Sequence, residues 1–296
     1  MESWDEIRTA YHVARVGTVS GAADALGVHH ATVIRHVDAL EAHLGTKLFQ
    51  RHARGYTPTE AGRDLLVVAR SADDQIEQLA SRIRAGGNAV SGELTVTSLR
   101  VASAPVTEAL AGLQRAHPGL RVRYVTDDRL LRLEYGEAHV AIRAGRRPEE
   151  PDNVVQAFGN VRIGLYASQG YAEAHGVPTS EEDLGGHGYV SLTDDASRAP
   201  FVRWLLERIP SDAVSFRVSD QTMIVDAVAS GAGIGFVTQW EAERHGGLRE
   251  VIAPRPEWNA PLWLVTHVDL HRTAKVQAAL DAIKEAAMGW RGFERA

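Results

Sequence analysis

The amino-acid sequence predicts a mixed α/β protein in which a small helical domain is joined by one long helix to a larger α/β domain. Short amphipathic segments separated by glycines occupy the N-terminal region, and a heptad repeat follows them. Strand-like and helix-like segments then alternate over the remainder of the chain. Because 296 residues exceed the usual size of one domain, we expect more than one hydrophobic core.

The composition is that of an ordinary globular protein, with 44% hydrophobic and 24% charged residues. No apolar run is long enough to cross a bilayer, and the acidic start lacks the basic and apolar stretches of a signal peptide. We therefore expect a cytoplasmic protein with no membrane contact. The chain has no cysteine, which excludes disulfides and cysteine zinc sites within it. With a net charge of −6, any contact with DNA must come from a local basic patch.

The helical domain is predicted to contain a helix-turn-helix. An amphipathic helix begins near Trp4 and stops at Gly17, a short second helix stops at Gly27, and a third runs over about 29–43. The second and third helices, joined by a tight glycine turn, form the motif. The predicted buried stripe of the third helix consists of Val33, Val37, Leu40 and Leu44.

The opposite face of the third helix is the candidate surface for the major groove of DNA. Arg35 can donate a bidentate pair to guanine or a charge-assisted bond to phosphate. The alternative is that Arg35 and His30 are ordinary solvated residues on a helical pair. The residues of this helix that we expect to contact DNA are His30, Ala31, Thr32, Ile34 and Arg35.

The run GTVSGAADALGVHHATVIRHVDALEAHLGTKLFQRHARGYTPTEAG resembles the DNA-binding signature of LysR-type transcriptional regulators. Several features fall at the family's spacing: the paired alanines, Arg35, the pairs LE, LG and LF, and the run TEAG. The resemblance implies a sequence-specific DNA-binding regulator with a winged helix-turn-helix. It also implies that the stretch 47–55 forms a wing from which Arg51 and Arg54 contact phosphate or the minor groove.

This sequence departs from the family pattern at positions that read DNA. His29, His30 and Ala31 stand where the family usually has Ser-Gln-Pro, and Ile34 stands where it has serine. The fold tolerates these changes, but no operator sequence can be transferred from the family.

A long helix is predicted between the two domains. Thr57-x-x-Glu60 resembles a capping box, and Thr59 is a competing cap. A heptad seam predicts pairing with a second chain, with packing on its own domain as the alternative; the resemblance also implies dimerisation. A dimer places two recognition helices on successive turns of DNA, so we expect a roughly two-fold symmetric site. The seam residues are Leu65, Ala69, Ala72, Ile76, Leu79 and Ile83.

The C-terminal two thirds are predicted to form a mostly parallel sheet with helices on both faces, including a helix near 129–135. The resemblance implies a two-lobed effector domain, similar to periplasmic binding proteins, with the ligand held between the lobes. It also implies assembly into tetramers through these domains. His139 stands where the family often has aspartate. The predicted domains are 1–58 (DNA-binding), 59–87 (linker and dimerisation helix) and 88–296 (effector-binding).

Ligands in such folds bind beyond the carboxyl ends of strands and near helix N-termini. Arginines and hydroxyls at these positions suit an anionic or polar small molecule. The alternative for Arg100 and Arg146 is an exposed or inter-lobe salt bridge. The candidate effector-binding residues are Ser98, Leu99, Arg100, Arg146, Leu192, Thr193, Gln221 and Thr222.

Two rival classes remain. An enzyme is not expected: GAGIGF has the glycine spacing of a dinucleotide loop, but it leads from a helix into a strand. His267 and His271 flank a strand end rather than one helical face, so no metal, cofactor or catalytic residue is assigned. The second rival is a ligand-independent DNA-binding regulator.

Overall fold

The computed structural model describes residues 4–52, 55–84, 90–126, 131–134, 136–193 and 199–296. Within the described residues, no helix combines the length and the apolar character that crossing a membrane requires.

Three helices form the N-terminal core: α1 (Trp4–Val16), α2 (Val19–Leu26) and α3 (His30–Leu44). Gly27 ends α2 in the left-handed conformation with φ 65°, which a residue with a Cβ rarely adopts, and this allows the tight turn into α3. The predicted stripe is confirmed at Val33, Val37 and Leu40, which are buried against α1 and α2. It is wrong at Leu44, which is 44% exposed because α3 ends there.

The wing implied by the resemblance is present. Strands β1 (Phe49–His52) and β2 (Gly55–Pro58) pair antiparallel, so the hairpin extends beyond the expected residue 55. The Tyr56 N–H donates to the Gly17 carbonyl over 2.8 Å, which docks the wing on the turn after α1. Gly55 has φ 139°, and a Cβ there would lie 2.2 Å from the Gly17 oxygen, so only glycine allows this approach.

Helix α4 (Glu60–Arg84) is the predicted linker helix. Its cap is Thr59 rather than Thr57, since the Thr59 hydroxyl accepts from the Gly62 N–H over 3.1 Å. Along the seam, Ala69 is buried against the chain's own structure, whereas Ile76 is 46% exposed. The seam side chains of Leu79 and Ile83 lie outside the described part of the structure.

The remaining elements are, in chain order, β3 (Gly92–Thr97), α5 (Ser103–Ala116), β4 (Leu120–Val125), β5 (Val140–Ala144), β6 (Asn153–Val161), β7 (Ile163–Ser168), α6 (Gln169–His175), β8 (Val190–Leu192), α7 (Pro200–Leu206), β9 (Phe216–Val218), α8 (Gln221–Ala229), β10 (Gly235–Thr238), α9 (Gln239–His245), β11 (Leu248–Ile252), β12 (Ala260–His267), α10 (Val268–His271), α11 (Ala274–Ala287) and β13 (Phe293–Arg295).

The first lobe is a six-stranded sheet of order β13-β6-β12-β5-β3-β4, with α5 and α11 packed together beside it. Only β3, β4 and β5 run parallel; β12 pairs antiparallel with β5 and β6, and β13 with β6. The expectation of a mostly parallel sheet is therefore wrong. The three antiparallel pairings involve the strands at which the chain leaves the first lobe (β6), returns to it (β12) and ends (β13). Of these strands, β6 and β13 have no strand pattern that the sequence analysis recognised.

The second lobe has β7 between β10 and β11 in an antiparallel sheet, and a parallel pair of β8 and β9 beside it. Helix α8 packs on β7, β8 and β10. One apolar cluster spans both lobes: Trp258 is fully buried, with its ring 4.9 Å from that of Trp204 and 5.0 Å from that of Phe236.

The helix expected near 129–135 is not confirmed. Residues 131 and 132 have no regular secondary structure, 133 and 134 form a turn, and 127–130 and 135 lie outside the described residues. Leu131 and Leu133 are nonetheless buried against Ala141 and Val265, so they are core residues of an irregular segment.

His139 is buried and bonds to the neighbouring strand. Its ring Nδ1 accepts from the Thr95 N–H over 2.9 Å, while the backbone N–H of His139 donates to the Thr95 carbonyl over 2.8 Å. An aspartate oxygen could accept the same bond, so the imidazole in its neutral form fills the place that the family often gives to a carboxylate.

Candidate functional site

The outward face of α3 presents most of the predicted DNA-contacting residues. His29 caps the N-terminus of α3, with its Nδ1 accepting from the Ala31 N–H over 3.3 Å. His30, Ala31 and Arg35 are exposed, and within the described chain no ion pair or side-chain hydrogen bond engages Arg35. A guanidinium in this state keeps all of its donors for a ligand.

Two predicted residues of α3 are less accessible. Thr32 and Ile34 are half-buried, and Ile34 packs against the apolar core of the three helices. Ile34 therefore stabilises α3 at least as much as it faces outward, and only part of its side chain remains for contact with thymine methyl groups or sugar.

Glu41, which the sequence marks only as part of the LE pair, joins α3 to the wing. Its side chain is 1% exposed, and its Oε1 accepts from the Leu48 N–H (3.0 Å) and the Phe49 N–H (3.2 Å). Its Oε2 accepts from Lys47 Nζ (2.7 Å) and Arg51 Nη2 (2.8 Å). One buried carboxylate thus binds four donors at the base of the hairpin.

The ionised form of Glu41 is the stable one in the fold. Burial alone would raise the pKa of the carboxyl. The bonds from Lys47, Leu48 and Phe49 and the charge of Arg51 outweigh burial and hold that pKa below its ordinary value of 4.5. The wing is therefore positioned by a charge as well as by packing.

Arg51 is engaged within the protein. Its Nη2 also binds Asp38 Oδ1 over 2.6 Å, and its guanidinium lies 5.3 Å from the ring centroid of Tyr56. The bond to Asp38 is the main reason that the pKa of Arg51 is raised above its ordinary value. About one third of the side chain is exposed, so contact with a phosphate would share this guanidinium rather than use a free one. Arg54 lies outside the described residues.

Two histidines of the helical domain, His12 and His36, do not face outward. His12 is buried, and burial, assisted by the charge of Arg15, lowers its pKa below the ordinary value of 6.5. His36 Nδ1 lies 3.0 Å from the Thr9 hydroxyl, which itself donates to the Asp5 carbonyl. Since the hydroxyl has one proton, the imidazole is the donor in the second bond. Both rings therefore contact the interior of the helical domain rather than its DNA-facing surface.

In the effector domain, an ion pair joins the end of β3 in the first lobe to the start of α8 in the second. Arg100 follows β3 in the first lobe, and its Nε lies 2.9 Å from Oδ2 of Asp220, the residue that caps α8 in the second lobe. Asp220 Oδ1 in turn accepts from the Thr222 N–H (2.8 Å) and hydroxyl (2.5 Å). The structure therefore brings together the predicted positions after β3 and at the start of α8. It also contains the inter-lobe salt bridge that the alternative interpretation gave to Arg100.

The other predicted residues beside this pair are held by hydrogen bonds. The buried Ser98 hydroxyl donates to the Leu99 carbonyl over 2.9 Å and lies 2.5 Å from the hydroxyl of Tyr124. Since the serine proton is used, the tyrosine is the donor between them. Burial raises the pKa of Tyr124 to about 12, so it stays protonated in this role. Gln221 Nε2 donates to the Phe236 carbonyl over 3.4 Å.

Leu192 and Thr193 lie at the edge of the same region. The Thr193 N–H donates to the Val218 carbonyl over 2.8 Å, and Arg217 Nη1 donates to the Leu192 carbonyl over 3.1 Å. Thr193 thus bonds to Val218, the last residue of β9, which precedes Asp220 by two residues in the chain. Thr193 is exposed and Leu192 half-buried.

Arg146 stands apart from the inter-lobe pair. Its side chain is 84% exposed and forms a local ion pair with Glu149 over 2.6 Å, and Gly145 before it is bonded to β12 through Pro261. The described contacts do not connect it to Arg100 or to the start of α8.

Sequence reasoning did not single out Asp220, Tyr124 or Glu41. An N-cap signal was available for Asp220, because an aspartate followed by a helical segment is a typical cap. No local pattern predicts the bonds of Tyr124 or Glu41, because their partners lie in other elements.

The two histidines weighed as metal ligands serve the local turn instead. His267 Nδ1 accepts from the Asp269 N–H over 3.3 Å at the start of α10, and His271 Nδ1 lies 2.9 Å from the Thr266 hydroxyl. Across the described residues, no group of three or more His, Cys, Asp or Glu is arranged to hold a metal ion.

Comparison with known proteins identifies both parts of the chain. Residues 4–63 match the family model described as "Bacterial regulatory helix-turn-helix protein, lysR family", and residues 87–288 match "LysR substrate binding domain". Both domains are regulatory rather than catalytic.

The similar proteins agree. The transcriptional regulator IlvY of Escherichia coli K12 is 33% identical over 241 residues, covering 79% of this chain and 81% of IlvY. A full-length OxyR variant of Pseudomonas aeruginosa has the same fold, with a TM-score of 0.73 at 17% identity over 100% and 98% of the two chains. CbnR, solved with its target DNA, gives a TM-score of 0.60 at 19% identity over 96% and 99% of the chains. The chain therefore belongs to the LysR family and is a DNA-binding transcription regulator with an effector-binding domain.

Proposed function

We propose that this regulator reads DNA mainly through Arg35, with His30, Ala31 and Thr32 beside it and a smaller contribution from Ile34. The observation that carries this proposal is that Arg35 is exposed on the outward face of α3 and has no side-chain partner among the described residues. Arg51 and Arg54 are assigned to the sugar-phosphate backbone of DNA or its minor groove, with Arg51 positioned by Glu41 and Asp38. The DNA-binding domain ends at residue 58, the linker helix ends at residue 87, and the effector-binding domain follows. The protein acts in the cytoplasm.

The test for DNA reading is a binding measurement on sites that the wild-type protein selects from a random duplex pool. Arg35→Ala should weaken binding to the selected sites by about 1–3 kcal/mol, the discrimination given by one bidentate base contact. Non-specific binding should change much less. The control is Arg115→Ala, which removes an exposed arginine from α5 in the effector domain. Equal losses on selected and random DNA would assign Arg35 to phosphate instead of a base.

The functional unit is a dimer formed through the seam of α4, further assembled into a tetramer through the effector domains. Ile76 supports the first contact, since a seam position nearly half exposed in one chain leaves apolar surface for another. The two recognition helices of a dimer would then meet a roughly two-fold symmetric DNA site.

The effector is a small anionic or polar molecule held between the lobes. Arg100 and Asp220 face each other there over 2.9 Å, and the cap of α8 adds Thr222 and Gln221 to the same surface. A ligand carboxylate could take the place of the Asp220 oxygen on Arg100, because both present the same planar acceptor to the guanidinium. Ser98, Leu99, Leu192 and Thr193 complete the site. Arg146 is retained only as a peripheral candidate.

The effector test is a thermal-shift screen of the full chain against small carboxylates, amino acids, aromatic acids and neutral metabolites. A ligand at 100 times its dissociation constant stabilises the folded state by about 2.7 kcal/mol. Arg100→Ala should abolish the shift given by an anionic hit, whereas Arg146→Ala should leave it nearly unchanged. No shift with any class, in a folded protein that binds DNA, would favour a ligand-independent regulator.

A further inference from the structure

A cavity of about 430 Å³ lies where α1, α4 and the β4 edge of the first-lobe sheet meet. We call it the junction cavity, because its walls come from the helix-turn-helix domain, the linker helix and the effector domain. Its charged lining residues are Arg15, Arg70, Asp73, Glu93, Arg121 and Arg123. Four arginines and two carboxylates thus line one cavity.

The two carboxylates are already engaged. Arg70 Nη2 lies 3.4 Å from Glu93 Oε1 and also bonds the Thr95 hydroxyl over 3.3 Å. Asp73 lies 3.9 Å from Nε of Arg8 on α1. These contacts fasten α4 to β3 on one side and to α1 on the other, and they leave little negative charge for the remaining arginines.

Those remaining arginines are Arg15, Arg121 and Arg123. Across the described structure none of them has an ion pair or a hydrogen bond from its guanidinium; Arg15 only lies 5.7 Å from the ring of Tyr11. Arg121 and Arg123 are two residues apart on the edge strand β4, so their side chains share one face of the sheet. Three exposed guanidinium groups that line one cavity favour a bound anion that accepts from them.

The junction cavity is distinct from both sites described above. Arg121 and Glu93 pair near the start of β4 and β3, whereas Ser98 and Arg100 follow the end of β3. On α4, at about 100° per residue, the cavity residue Arg70 lies roughly 130° around the helix from the middle of the seam and Asp73 roughly 70°. The guanidinium of Arg70 therefore belongs to a different face of α4 from the seam.

We propose that the junction cavity binds a small anion with at least two negative charges, held by Arg15, Arg121 and Arg123. Guanidinium groups match phosphate and carboxylate oxygens in bidentate geometry, and the volume is that of a small-molecule site. Because Arg15 belongs to α1 and the other two to β4, the bound anion joins the DNA-binding domain to the effector domain. It would therefore fix the orientation of the recognition helix relative to the effector domain.

The test is isothermal titration of the full-length chain with pyrophosphate, and separately with citrate, at constant ionic strength set with sodium chloride. Both probes carry multiple charges, and their relative affinities distinguish a phosphate ligand from a polycarboxylate. The double variant Arg121→Gln/Arg123→Gln should lose roughly tenfold or more in affinity, since each hydrogen bond to a charged group is worth at least that. Arg15→Gln should also lose affinity, although it lies in the other domain.

Three controls make the result decisive. Arg115→Gln, on α5, should bind as the wild type does, and melting without ligand should show that every variant is folded. Arg123→Lys keeps the charge and should retain part of the affinity. The proposal is overturned if the wild type binds neither probe, if Arg15→Gln and the double variant bind normally, or if Arg100→Ala removes the binding. A loss of DNA affinity in the double variant with normal pyrophosphate binding would instead assign these arginines to DNA phosphate.

Discussion

Replacing Glu41 should detach the wing from α3. In Glu41→Ala, the Leu48 and Phe49 N–H groups lose their acceptor while both residues remain buried. An unsatisfied buried donor costs about 1–3 kcal/mol, and Glu41→Ala leaves two of them. The released Lys47 and Arg51 side chains are 71% and 35% exposed, so water solvates them and they add little to the loss. We therefore expect a loss of about 3–5 kcal/mol in the stability of the helix-turn-helix domain.

Hydrogen exchange measured by mass spectrometry on the full chain resolves this effect, because peptides over β1 and the end of α3 report on one domain. A loss of 3–5 kcal/mol corresponds to exchange that is faster by about two to three and a half orders of magnitude. Glu41→Gln keeps an acceptor for the two N–H groups but loses the charge that binds Lys47 and Arg51, so it should fall in between. Asp24→Asn, an exposed control on α2, should change stability by less than about 0.5 kcal/mol.

The same reasoning fixes a pH dependence. The folded-state pKa of Glu41 lies below 4.5, so its stabilisation is present at neutral pH and is lost as the pH falls below 4.5 through the folded-state pKa. The Glu41→Gln variant should lack this acid-dependent loss. A stability change below about 1 kcal/mol in Glu41→Ala, with β1 exchanging as in the wild type, would refute the assignment of Glu41 as the link between α3 and the wing.

Two further predictions concern assembly and the effector domain. Ile76→Asp places a charge on the α4 seam and should shift the oligomer toward monomers in analytical ultracentrifugation. Asp64→Asn, exposed on another side of the helix, should leave the oligomer unchanged. An unchanged mass for Ile76→Asp would exclude the seam as the interface. Burial raises the pKa of Glu241 to about 7, so the effector domain binds an extra proton when folded and should lose stability as the pH rises from 4.5 to about 7. Thermal melts of Glu241→Gln should show a flatter pH profile, and an identical profile would mean that this carboxyl is solvated.

The parts of the fold that the sequence predicted correctly are those with local signals. Gly17 and Gly27 mark helix ends because only glycine adopts their left-handed backbone without strain, and the stripe of α3 is visible from spacing alone. The direction of β12 could not be predicted, because strand patterns carry no information about which neighbour a returning chain chooses. Likewise, the irregular segment 131–134 buries Leu131 and Leu133 without forming a helix, because their burial depends on contacts with strands distant in the sequence.

The candidate site divides in the same way. Arg35 was predicted from its angular position on one helix, which depends only on the helical repeat. Arg51 was assigned to DNA by resemblance, and its engagement with Asp38 and Glu41 depends on the fold of the hairpin. Asp220 is the partner of Arg100 only because two lobes meet, 120 residues apart in the chain. Charge partners across such separations have no sequence pattern.

In the effector site proposed above, the Asp220 carboxylate would act as a built-in competitor for the arginine that an anionic effector binds. It would set the response threshold, since the ligand must displace an acceptor whose local concentration never falls, and the apparent affinity would fall in proportion to the fraction of paired chains. A regulator of this kind would ignore background levels of its signal and respond only above them. Asparagine at this position would keep the cap on Thr222 while weakening the competition, and so would shift the set point to lower effector concentrations without altering the ligand's own contacts.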